Sequence, residues 1–187
     1  ADPKSSDTAA AADRIWERTT QLTTLVAQTR SIERAIAENG AHTDSRLDPG
    51  PVLRELRDSI ATGSGPQVEV SVPGKSIDSM VSPALLASLL EPVLEDAYSH
   101  AATRVDVSVD SDGPAIRIVD DRPETTDPGD EPDTDLPMAV TRLALDQLGG
   151  DLSVEWTGGR RREVVVALPT DATPGERRAV AAGGDGQ

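Results

Sequence analysis

Apolar positions change period several times along the 187-residue chain, and each change marks an element. Between residues 7 and 39, Ile15, Leu22, Leu25, Ile32 and Ile36 take a and d positions of a heptad, with Arg18 and Thr29 filling the other two. So narrow a stripe predicts a long helix with one seam. Such a seam wants a partner helix, in this chain or a second one, or packs on its own domain. Gly and Pro in the run 39–50 end the helix. A short amphipathic helix follows at 50–61, and QVEVSV at 67–72 alternates with period two, as a strand does.

The strongest helical pattern lies at 82–101, where Leu85, Leu86, Leu89, Leu90, Val93, Leu94 and Ala97 make a broad apolar face suited to a core. RVDVSVD (104–110) and AIRIVD (115–120) alternate and are joined by SDGP, which predicts an antiparallel hairpin. Residues 136–148 predict a helix stopped by Gly149 and Gly150. Two further strands are expected at 151–156 and 162–169, around TGGR. The first six residues read as frayed, and from Thr170 no pattern remains, as in a disordered tail. This order predicts an α+β fold: a two-layer sandwich of a mostly antiparallel sheet with helices on one face, preceded by a long helix. The expected units are a dimerisation-type helix over 7–40, a domain over 50–169 and a tail over 170–187.

Composition narrows the partners. The net charge is −15, which disfavours bare nucleic acid and anionic membranes. Asp outnumbers Glu by 21 to 12, and Arg outnumbers Lys by 16 to 2. Such a surface looks like that of a salt-loving organism's protein, where salt screens self-repulsion; an acidic protein from a GC-rich genome is the alternative. Cysteine is absent, so disulfides and thiolate metal sites are excluded. No apolar run approaches the roughly 18 residues of a membrane helix, and no signal peptide is evident. The chain reads as cytoplasmic. It begins abruptly just before a helix, as a piece of a longer sensor would.

Chemistry gathers in three places. The helical run PVLEDAYSHA (92–101) carries Glu95, Asp96 and His100; the strand before the acidic loop ends in DDRPE (120–124); and that loop holds eight acids and one arginine between Asp120 and Asp135. In order and spacing these segments resemble the histidine-kinase-like ATPase superfamily, over about residues 10–169, and more narrowly the ATP-binding domain of a sensor histidine kinase behind the second helix of its dimerisation hairpin. The resemblance implies that the asparagine box falls on Pro92 and Asp96, with Asp96 at the magnesium-holding position beside Glu95. It implies that Asp120 receives the adenine amino group. Both glycines of the first glycine box are replaced, by Arg122 and Glu124, and those of the second by Asp135 and Pro137.

Glycines at such places permit positive φ and let backbone N–H groups approach phosphate. A β-carbon there costs on the order of 1–2 kcal/mol if left-handed geometry is kept. Proline also removes a donor. The loop's carboxylates would repel a triphosphate, but in molar salt the Debye length is about 3 Å, so charge alone decides little. Asp135 suits a helix N-cap, and the loop's own acids are expected to sit where phosphate would. No phosphoacceptor run of His, acid and later Pro exists, and neither His42 nor His100 is placed like an acceptor. Either the helix that bears it was left out of this chain, or the protein never had it.

Other signals are thin. The acid-dense loop has no fixed calcium-ligand spacing. GGRRR (158–162) reads as a solvated hairpin tip, or as a dock for an acidic partner. The expectation is a degenerate kinase module, a signalling scaffold or dimerisation unit that binds ATP weakly or not at all. The alternative is an active histidine kinase of a two-component system with divergent boxes, using ATP and Mg through Asp96 and Asp120. A plain interaction domain is a third reading. Expected partners are a response regulator or sensor domains and a second copy through the N-terminal helix.

Overall fold

In the computed structural model, residues 3–39, 46–61, 65–72, 76–110, 113–122, 136–157 and 161–170 are described. The elements run α1 (Pro3–Asn39), β1 (Arg46–Leu47), α2 (Pro49–Ile60), β2 (Gln67–Ser71), β3 (Ile77–Asp78), α3 (Pro83–His100), β4 (Arg104–Val109), β5 (Ala115–Asp120), α4 (Leu136–Leu148), β6 (Asp151–Thr157) and β7 (Arg161–Ala167). The fold is α+β, with a five-stranded sheet ordered β2-β4-β5-β7-β6. Among the described residues, β2 pairs with β4 in parallel, and the β4-β5, β5-β7 and β7-β6 pairings are antiparallel. β1 and β3 form a separate two-stranded antiparallel ribbon, too short to leave a periodic trace in the sequence.

Alternation along the strands divides the sheet into two faces. Val105, Val107, Ile116, Ile118, Leu152, Val164 and Val166 are buried on one face, against α2, α3 and α4. The other face carries ion pairs within and between strands. Arg117 binds Glu163 at 2.5 Å and Asp110 at 3.2 Å, while Arg104 reaches Asp106 and Glu69, each at 2.6 Å. A polar open face opposite a buried apolar one is the expected economy of an antiparallel sheet.

Local chemistry sets the helix ends. Asp48 caps α2 by accepting from the Gly50 amide at 3.0 Å, and Ser82 caps α3 by accepting from Leu85 N at 3.3 Å. α4 ends in paired bonds, Gly149 N to Asp146 O and Gly150 N to Leu145 O, at 3.1 and 2.8 Å. Gly149 has φ 81°, and a β-carbon on Gly150 would lie 2.5 Å from Ala167 O, so the Gly-Gly stop is required on two separate grounds.

α1 is divided in its environment. Ile32 and Ala35 are buried in the core, and Ile36 is half-buried against it. Ile15 and Trp16, by contrast, are 67% and 74% exposed, and Leu22 and Val26 are also exposed. The heptad seam therefore serves its own domain at one end only. Asn39, the last residue of α1, donates to Met80 O at 2.9 Å and accepts from Ser82 N at 2.6 Å, which ties α1 to the start of α3. Gln28 Nε2 donates to Pro137 O at 3.2 Å, which ties α1 to α4. No helix among the described residues is long and apolar enough to cross a membrane.

Candidate functional site

α3 and the ends of β5 and β7 converge on a buried set of charges. Asp120 closes β5 in phase with Ile116 and Ile118, so period two directs it to the helix-covered face. Arg162 pairs with it across the ladder, in phase with Val164 and Val166. Asp96 lies among Val93, Leu94 and Ala97 on the core side of α3. The packing that buries those neighbours also buries the two carboxylates: Asp120 is 0% exposed and Asp96 9%.

Two guanidinium groups span the pair. Arg162 Nε donates to Asp120 Oδ2 at 2.9 Å, and its Nη2 donates to Asp96 Oδ2. Arg122 Nε donates to Asp120 Oδ1 at 3.0 Å, and its Nη2 reaches Asp96 Oδ2 at 2.8 Å and Asp120 Oδ2 at 3.2 Å. The Arg122 amide also donates to Asp120 Oδ1, at 3.2 Å. Each arginine thus bridges both aspartates, and the four formal charges cancel. Burial works against the charged form of Arg122, but the adjoining Asp120 and Asp96 carboxylates outweigh it and hold its guanidinium above the ordinary arginine range. His100 Nδ1 lies 3.0 Å from Asp96 Oδ1 and 2.9 Å from Asp96 O, one turn along α3.

Asp121 does a different job from its neighbour. Its carboxylate accepts from Thr103 N at 2.9 Å, Arg104 N at 3.0 Å and the Thr103 hydroxyl, and so pins the end of β5 to the start of β4. Partial burial pushes its pKa up, but the bonds from Thr103 and the backbone amides outweigh this and lower it to about 2. Glu95, one residue before Asp96, points to the exposed side of α3; desolvation and then Glu91 raise its pKa.

The structure brings Asp96, Asp120, Arg122 and His100 together and leaves Glu95 outside the cluster. Pro137 is half-buried in the first turn of α4, and its carbonyl accepts from Gln28 and from Thr141 Oγ1. Glu124, Asp135, His42 and the acidic loop from 123 to 135 lie outside the described residues, as does the tail from 171. Arg162 corrects the reading of GGRRR as a solvated tip: it is 5% exposed, while its neighbour Arg161 is exposed. A signal for it was present, because position 162 keeps the inward phase of Val164 and Val166, and a buried arginine needs a carboxylate.

An adenine group would require Asp120 as an open acceptor, and magnesium would require Asp96 as an open ligand. Both carboxylates carry two guanidinium groups instead, and no group of three or more His, Asp or Glu placed to hold a metal occurs among the described residues. These residues, as arranged, do not fit Mg-ATP.

No family model matches the chain, and no curated protein matches it in sequence. Among solved structures it is similar to histidine kinase AdeS of Acinetobacter baumannii, at 14% identity and a TM-score of 0.62, over 86% of this chain and 84% of that one. It is also similar to the cytoplasmic segment of histidine kinase QseC, at 15% identity and a TM-score of 0.58, over 78% of this chain and 95% of that one. At such identities the likeness is one of fold: the chain has the histidine-kinase ATPase-like fold with a long helix in front of it.

Proposed function

We propose that this chain is a degenerate histidine-kinase module, a pseudokinase that serves as a signalling or dimerisation scaffold and does not use ATP. One observation carries the reading. The two aspartates that stand where the family would hold adenine and magnesium are bridged by Arg122 and Arg162. A nucleotide would have to displace buried, charge-assisted hydrogen bonds that already satisfy both carboxylates. The side chain that closes the site from outside, Arg122, stands at a glycine position of the first glycine box, and Pro137 stands at one in the second.

As a scaffold, the module would present the outer half of α1. Ile15, Leu22 and Val26 there are exposed apolar residues at helical spacing, and a second copy of the same helix is the natural partner. A response regulator or sensor domains would be the wider partners, in a cytoplasmic setting. Thermal unfolding with and without Mg-ATP tests the reading. The expected outcome is an unchanged midpoint; a saturable upward shift would overturn it. The active-kinase alternative rests on Asp96 and Asp120 being present, and the same titration decides against it or for it.

A further inference from the structure

The two arginines hold the same carboxylates from different backbones. Arg162 sits in β7, hydrogen-bonded in register between β5 and β6, with Asp120 on one side and Trp156 on the other. Its side chain is 6% exposed. Its backbone cannot shift without opening the sheet. Arg122 lies two residues past the end of β5, outside any strand ladder, and reaches back over Asp120 from the solvent side with 13% of its side chain exposed.

We propose that Arg122 acts as an internal ligand, occupying a site for a planar, donor-rich cation of the guanidinium or amidinium class, while Arg162 is a fixed strut. This rests on the reading of the aspartate pair as a closed site and adds which residue closes it. Truncating Arg122 leaves Asp120 Oδ1 with the residue 122 amide but without its charged donor, inside a wall that Arg162 still holds together. Two buried carboxylates then share the single guanidinium of Arg162, and the net buried negative charge favours uptake of a second cation. The replacement must be flat and must donate to Asp120 and Asp96 at once, as the Arg122 fork does.

The test uses the full 187-residue chain, the variants Arg122→Ala and Arg162→Ala, and guanidinium chloride well below denaturing concentrations, with sodium chloride matched for ionic strength. The expected result is a saturable rise in the melting temperature of Arg122→Ala with guanidinium beyond that with sodium, and no such rise in the unsubstituted chain. Folding of Arg122→Ala only when guanidinium is present also supports the assignment. An identical response to both salts would overturn it, as would failure of Arg122→Ala to fold in either. Equal rescue of Arg162→Ala would overturn the asymmetry between strut and ligand. Binding of Mg-ATP by the unsubstituted chain is a separate outcome, which removes the reading of a closed site itself.

Discussion

Asp120 and Arg162 face each other in register across β5 and β7, and Arg162 Nε donates to Asp120 Oδ2 at 2.9 Å inside the core. The ladder therefore fixes this ion pair as firmly as it fixes the Ile118 and Val164 pair beside it. A charged pair so placed belongs to the folding core, and its loss is felt as stability.

Removing Arg162 leaves two buried carboxylates against one guanidinium. Arg162→Ala is expected to cost about 3–5 kcal/mol, the range for stranding a buried charge. Urea unfolding of the variant checks this; a loss under about 1 kcal/mol, the worth of an exposed pair, would show that the cluster is solvated.

Asp121 sets part of the acid limb of stability. Its folded pKa of about 2 lies below the ordinary value of 3.8, so its contribution is complete above about pH 4 and is lost as pH falls toward 2. Asp121→Asn should flatten the pH dependence of the melting temperature in that window and leave neutral pH dependence unchanged. An identical acid limb in the variant would assign the effect to other carboxylates.

Asn39 joins α1 to α3 through two bonds, to Met80 O and from Ser82 N. Asn39→Ala is expected to cost about 1–2 kcal/mol and to speed amide exchange in the last turns of α1. Unchanged exchange there would mean that Ile32 and Ala35 hold the helix without help.

Pro92 lies inside α3, where it has no N–H for the Ser88 carbonyl one turn back. Pro92→Ala should stabilise the chain by about 1 kcal/mol, less than the ~3 kcal/mol helix-interior penalty because buried ring contacts are lost. A destabilised variant would show that the ring's packing outweighs the missing bond.

Much of this fold was legible because periodicity and burial agree. The inward phase of β4 and β5, the broad leucine face of α3 and the Gly149-Gly150 stop all follow from residue spacing. β1 and β3 were not legible, since two residues cannot display a period and their pairing depends on tertiary contact. The site was legible by half. Asp96, Asp120 and Arg122 were recognisable as positions, but charge read along the sequence did not show that two arginines cover the aspartates across the sheet, and the acids expected at a phosphate site lie outside the described residues. Arg162 was hidden by its neighbours, because three adjacent arginines look like a solvated tip unless the strand phase is carried through them.

Arg122 and Arg162 both pair with Asp96 and Asp120, and the proposed function requires that nucleotide does not displace them. Calorimetric titration of the chain with ATP and magnesium in high salt, where surface repulsion is screened, tests it most directly. The account predicts no heat of binding beyond dilution. A saturable isotherm with a micromolar dissociation constant would contradict it.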